Sequence, residues 1–221
     1  MLRTNINYAS GDKPLHTIMI TSPDPGEGKT TVTANLSVVM AQNGMRVFTI
    51  DCDLRHPKLH TYFGISNNSG MSNLFFQSGE VPYSYHQILK MENLSVITTG
   101  PLPPNPAELL SSQKMQSILK GIRQASDVIL IDTPPVLAVT DAAVLAPILD
   151  GVLLVVRPGK TRIHTLRLAI AQLNQVNANV LGVVINDVDL RDKSYAYYYR
   201  DYRKYSAYQE YYTMDKGEER I

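Results

Sequence analysis

Thr17-Ile18-Met19-Ile20-Thr21-Ser22-Pro23-Asp24-Pro25-Gly26-Glu27-Gly28-Lys29-Thr30-Thr31 is the stretch on which the reading of this 221-residue chain turns. A β-branched run gives way to a Pro/Gly loop that ends in Gly28-Lys29-Thr30. From Thr31 to Asn43 apolar and small residues recur at helical spacing, and Gly44 stands where a helix-ending glycine belongs. Strand, glycine loop and helix form the context in which a GK[ST] triplet is a phosphate-binding loop. Successive backbone N–H groups and a helix N-terminus together make a pocket for anionic oxygens. Gly26, Glu27, Gly28, Lys29, Thr30 and Thr31 would then cradle a nucleotide, Lys29 reaching its β- and γ-phosphates and the Thr30 hydroxyl ligating Mg²⁺. One position departs from G-x-x-x-x-G-K-[ST]: the first glycine would fall at Pro23. The alternative is a chance glycine loop between a strand and a helix, and the flanks argue against it.

Outward from this loop, the pattern repeats. Arg46–Ile50 reads as a second strand and ends in Asp51-Cys52-Asp53-Leu54-Arg55. At the end of an extended segment, residues two apart point the same way, so Asp51 and Asp53 can converge on one spot. Between Thr61 and Ser95 the signal is weak, with short helices expected around Ser72–Phe76 and Tyr83–Leu89. Leu94–Thr98 reads as a strand, then comes a turn-rich stretch from Gly100 to Pro106, and Ala107–Gln124 as one amphipathic helix. Val128-Ile129-Leu130-Ile131, closed by Asp132, reads as a strand buried on both faces. A short helix at Asp141–Leu149, a strand at Gly151–Val156, a helix at Ile163–Val176 and a last strand at Val180–Asn186 complete the pattern. Apolar strands alternating with helices predict an α/β fold: a doubly wound, mostly parallel sheet flanked by helices. Such sheets bind ligands at the carboxyl ends of their strands, and Asp51, Asp53, Asp132 and the phosphate loop all lie there.

Composition narrows the function classes. Hydrophobic residues make up 44% of the chain and charged residues 19%, as in soluble globular proteins. A formal net charge of +1 argues against broad electrostatic binding of nucleic acid or anionic lipid. Cys52 is the single cysteine, so a disulfide framework is excluded and a reducing cytosol is the natural compartment. No signal peptide is legible before residue 17, and no apolar run approaches the roughly 20 residues that span a bilayer. Membrane association is therefore expected only through a partner. The histidines lack metal-ligand spacing, so zinc is not expected. Cys52, beside two carboxylates, should have a raised pKa and act as a buried strand residue rather than a redox centre.

After Asp187 the character changes. Nine of the thirteen tyrosines cluster there: Tyr195, Tyr197, Tyr198, Tyr199, Tyr202, Tyr205, Tyr208, Tyr211 and Tyr212. Few aliphatic residues accompany them, so a mobile tail is expected rather than a core element. The chain then divides into a P-loop domain at 1–190 and a tyrosine-rich tail at 191–221.

TSPDPGEGKTT (21–31), FTIDCDLRHP (48–57) and VILIDTPP (128–135), with the tyrosine cluster, closely resemble the bacterial tyrosine kinases of capsule and exopolysaccharide assembly. The likeness runs over residues 3–212, and members of that family carry a modified Walker A, an acidic Walker A′, a Walker B and a C-terminal tyrosine cluster. The resemblance implies an ATP- and Mg²⁺-dependent protein-tyrosine kinase that regulates capsular or exopolysaccharide polymerisation and export. Lys29 would hold the phosphates and Thr30 the Mg²⁺. Lys29, Asp51 and Asp53 would be the catalytic residues, Asp51 orienting the tyrosine hydroxyl or taking its proton, and Asp51, Asp53 and Asp132 would bind the metal directly or through water. Asn186 matches an asparagine that contacts adenine in related ATPases. The nine tail tyrosines would be phosphorylated, largely in trans, within a homo-oligomeric ring. Further implied partners are the cytoplasmic segment of a membrane adaptor or polysaccharide co-polymerase, fused or separate, and a cognate phosphotyrosine phosphatase, with no nucleic acid. The location would be cytoplasmic, at the inner face of the cell membrane through the adaptor. Two features stand apart from the family: of its N-terminal E-x-x-R-x-x-R helix only Arg3 could be present, and no adaptor segment is in the chain.

Two other readings compete. A ParA/MinD-type partitioning ATPase shares the sheet and both Walker motifs, but its signature lysine falls at Asp24 here and it has no use for clustered tyrosines. A nucleotide-gated, non-catalytic scaffold is the other. Phosphotyrosine on the tail separates all three.

Overall fold

The computed structural model describes residues 2–9, 14–76, 85–89 and 91–189. The chain's contacts divide it into residues 1–186 and 187–221, and the fold described here is that of the first unit. The tyrosine cluster and the expectation of a mobile tail lie outside the described residues.

A first helix, α1 (Leu2–Ala9), precedes β1 (Thr17–Thr21), whose residues are all buried. The helix α2 (Lys29–Gln42) follows the glycine loop, and Gly44, at φ +85°, turns the chain beyond its end as the sequence pattern required. Next come β2 (Val47–Asp51), α3 (Leu59–Phe63), α4 (Met71–Phe76), β3 (His86–Ile88) and β4 (Met91–Ile97). The second half holds α5 (Pro106–Leu110), α6 (Gln113–Ala125), β5 (Val128–Asp132) and α7 (Asp141–Leu145), the last continued by a 3₁₀ turn at Ala146–Ile148. It closes with β6 (Gly151–Val156), α8 (Ile163–Gln175) and β7 (Val180–Ile185).

The strands form one seven-stranded sheet in the order β3-β4-β2-β5-β1-β6-β7, parallel except for the β3–β4 pair. Strand residues alternate between two cores, because successive side chains point to opposite faces. Ile18 and Ile20 join Val32, Leu36 and Met40 of α2 on one face, while Met19, Ile50 and Ile131 join Met115, Ile122, Ala169 and Leu173 on the other. Both faces are covered, which is why the central strands read as unbroken apolar runs. The doubly wound, mostly parallel sheet is therefore as the sequence predicts.

Two local expectations need correction, and two further features lie outside them. The helix placed at Tyr83–Leu89 is, where described, the strand β3, antiparallel to β4. Tyr85 packs edge-on against Phe48 with ring centroids 5.4 Å apart, so contacts with β4 and β2 override the local pattern. The single helix at Ala107–Gln124 is two helices, because the Ser112 side chain accepts the Met115 N–H at 3.2 Å and starts a new one. A helix at Leu59–Phe63 was not foreseen at all. The last strand is a half-exposed sheet edge at which Ile185 is 58% exposed. Among the described residues no helix is long and apolar enough to cross a membrane.

Candidate active site

The phosphate loop is held open from beneath. Gly28 sits at φ +92°, a left-handed conformation that glycine adopts without a Cβ penalty. A Cβ there would also lie 2.0 Å from the Asn186 amide nitrogen. Asn186, at the end of β7, donates that amide to the Glu27 carbonyl at 3.0 Å. The side chain placed by resemblance at an adenine thus braces the loop in this structure. No side chain caps α2, so its first N–H groups are left for an anion. The Thr31 hydroxyl meets Tyr62 of α3 at 2.7 Å. The Glu27 carboxylate takes the Asp24 N–H at 3.0 Å and the Thr161 hydroxyl.

Three acids converge above the loop because their strands are neighbours. Asp51 and Asp132 are direct register partners on β2 and β5, and both are completely buried. Asp51 is spent on its own loop: its two oxygens accept the Asp53 N–H at 3.1 Å and the Leu59 N–H at 3.0 Å, which fixes the start of α3. Asp53 instead reaches across to Lys29, with Nζ 3.0 Å from its Oδ2, while its Oδ1 accepts the His56 N–H at 2.9 Å. Asp132 accepts the Thr33 hydroxyl at 3.4 Å on one oxygen, and its buried Oδ2 has no hydrogen-bond partner. Arg55 of the D-x-D-x-R motif turns away and grips the buried Asp141 with two bonds of 2.8 and 2.9 Å.

The electrostatics follow from this crowding. Burial pushes the Asp51 carboxyl up to about 8, with the charges of Asp132 and Asp53 adding to it against the two backbone donors. Asp132 is raised by burial to about 6, held down in part by Lys29 and by the hydroxyls of Thr30 and Thr33. Burial works against the Lys29 charge, but Asp132, Asp53 and Asp51 outweigh it and raise the ammonium's pKa. Cys52 is fully buried just past the end of β2, and burial, reinforced by Asp51, Asp132 and Asp53, raises its thiol well above the ordinary value. The cysteine is buried with a raised pKa as expected, one residue beyond the strand rather than within it.

Among the described residues no three acidic, histidine or cysteine groups are arranged to cage a bare ion. Mg²⁺ keeps several waters and is held by one or two carboxylates together with substrate phosphates. The unpartnered Asp132 Oδ2, beside Thr30 and Lys29, would offer such a hydrated ion an acceptor. The structure thus brings together Gly26, Glu27, Gly28, Lys29, Thr30, Asp51, Asp53, Asp132 and Asn186, with Thr31 at the rim. Sequence reasoning missed Thr33, Asp141, Lys160 and Thr161. Only Thr33 left a signal, one helical turn after Lys29, whose carbonyl it bonds at 2.9 Å.

Residues 14–203 match the ParA family, described as an NUBPL iron-transfer P-loop NTPase. Tyrosine-protein kinase YwqD of Bacillus subtilis is 42% identical over 198 residues, covering 89% of this chain and 83% of that protein. Putative tyrosine-protein kinase CapB of Staphylococcus aureus is 37% identical over 199 residues, 90% of this chain and 87% of that one. The solved kinase domain of Escherichia coli tyrosine kinase ETK superposes with a TM-score of 0.82 at 35% identity, over 87% of this chain and 75% of that one.

Proposed function

The chain belongs to the bacterial tyrosine-protein kinases within the ParA-like P-loop NTPases, and on that premise we propose that it transfers the γ-phosphoryl group of ATP to tyrosine hydroxyls, its own C-terminal cluster first. The observation that carries this reading is Lys29, at the uncapped start of α2 and facing three buried carboxylates. In the reaction the tyrosine oxygen bonds to the γ-phosphorus, the bond to the β,γ-bridging oxygen breaks, and ADP leaves. Backbone N–H groups of Gly26 to Thr31 and the Lys29 ammonium hold the phosphates. Asp51 orients the phenol or, once ionised, takes its proton. Thr30 would hold Mg²⁺, with Asp51, Asp53 and Asp132 doing so directly or through water. Magnesium, when bound, offsets the charge of the transferring group. Asn186, which braces the loop, is assigned to the base of the nucleotide by the family resemblance.

The same proposal assigns residues 1–190 to the kinase domain and 191–221 to the phosphoacceptor tail, phosphorylated mostly in trans between subunits of a ring. Each phosphate would add about −1.5 to −2 charges. That would reverse the basic character of Arg191, Lys193, Arg200, Arg203 and Lys204 and loosen the assembly. An adaptor segment at the inner face of the membrane, a phosphatase and a role in capsule or exopolysaccharide export complete it, by analogy with the family.

Intact mass and peptide mapping after incubation with Mg-ATP test it, beside a Lys29→Met control. Phosphotyrosine on 195–212, absent from the control, is the expected result. ATP turnover with no phosphotyrosine would move the reading to a partitioning-type ATPase or a nucleotide-gated scaffold.

A further inference from the structure

An acidic residue stands inside a loop whose task is to attract anions. Glu27 lies between Gly26 and Gly28, where backbone N–H groups and the positive end of α2 favour phosphate, and its carboxylate there is a competing internal anion. The side chain is 1% exposed, so it is sequestered rather than solvated. One oxygen takes the Asp24 N–H and the other takes the hydroxyl of Thr161, from the loop between β6 and α8. The direction of the second bond is settled locally. The Thr161 oxygen already accepts the Arg157 N–H at 2.9 Å, which leaves its own hydrogen for Glu27. The preceding residue grips the same loop: Lys160 donates to the Pro25 carbonyl at 2.6 Å, and its ammonium is 2.6 Å from where a Gly26 Cβ would stand.

We propose that the Arg157–Thr161 loop is a positioning element of the nucleotide site, in which Thr161 holds the Glu27 carboxylate out of the phosphate cradle. Lys160 adds a positive charge beside a loop that carries two acids, Asp24 and Glu27. Without the Thr161 hydroxyl, a buried carboxylate oxygen loses its donor and must find another. The donors open to it include the N–H groups of the loop itself, which are those a nucleotide needs. Thr161 therefore acts on nucleotide affinity through Glu27. The inference rests on the nucleotide-binding part of the proposed function, and on no part of the transfer step.

Titration calorimetry with Mg-ADP on the full chain tests it, because binding is read without phosphotransfer. Thr161→Val is expected to raise the ADP Kd about tenfold, the scale of one like charge released near phosphate at a partly exposed site. Thr161→Ser, which keeps the hydroxyl, should bind like the parent. In a Glu27→Gln background Thr161→Val should change Kd by less than about twofold. An unchanged Kd in Thr161→Val, or the same loss in both backgrounds, overturns the proposal, since a purely structural contact would cost the same with either residue at 27. If the valine variant melts early, Thr161→Ala gives the same comparison. A chain that binds ADP with this coupling yet never phosphorylates tyrosine would refute the kinase reading and leave this one standing.

Discussion

Asp51 and Asp132 face each other on neighbouring strands, equally buried, and are tied in opposite ways. Asp51 has both oxygens filled by backbone N–H groups of its own loop, whereas Asp132 keeps one oxygen without a partner beside Lys29 and Thr30. A buried carboxylate costs free energy either way. In Asp51 part of that cost is offset by ordering residues 53–59, and the benefit is structural. In Asp132 Lys29 and the Thr33 hydroxyl offset part of it while Oδ2 keeps no partner, and a buried acceptor without a partner is where a ligand or hydrated cation gains most. Two residues of one chemical type, one strand apart, are therefore expected to fail differently.

The largest effect should come from the group both share. Lys29→Met removes the cation facing all three acids and is expected to cut tail phosphorylation by about 10²–10³-fold, the scale of losing one preorganised charge donor. Retention of more than a tenth of the activity in single-turnover assays would show that Lys29 is not the charge on which either carboxylate depends. Next, Asp132→Asn should lower phosphotransfer by about 10²-fold while the melting temperature holds or rises, because a forced buried charge is lost and no filled bond is broken at Oδ2. A fall of several degrees in calorimetry would erase the contrast with Asp51.

Asp51→Asn should do the reverse for stability. An amide has one acceptor oxygen, so either the Asp53 or the Leu59 N–H is orphaned, at a cost of about 1–3 kcal/mol in urea unfolding at neutral pH. The last contrast is in pH dependence. The folded state keeps the Asp51 proton up to about pH 8, while the unfolded chain releases it near 3.8. Between those values the unfolded state binds fewer protons, so this contribution to stability is full in acid and is lost as pH rises toward 8. The melting temperature of the metal-free chain should fall over that window, and Asp51→Asn should flatten the slope. A profile that rises from pH 5 to 8 would mean that Asp51 is ionised in the fold.

The β1–α2 unit, the parallel sheet and the acids at its strand ends could be read from residue order alone. Each is a short-range pattern: two-faced apolar strands, a glycine loop that only left-handed backbone can make, and carboxylates placed where a strand stops. The segment between Thr61 and Ser95 carried no such pattern. His86–Ile88 became a strand only because β4 offered an edge and Phe48 a face for Tyr85. Ser111-Ser112 split a helix through a cap whose strength depends on what α6 packs against. What distinguishes Asp51 from Asp132, and what places Thr161 on Glu27 from 134 residues away, is long-range in the chain and absent from any local spacing. Residue types at strand ends determined which chemistry is available. Which oxygen is filled and which is left free was decided by packing, since hydrogen-bond partners are assigned by the backbone that happens to lie alongside.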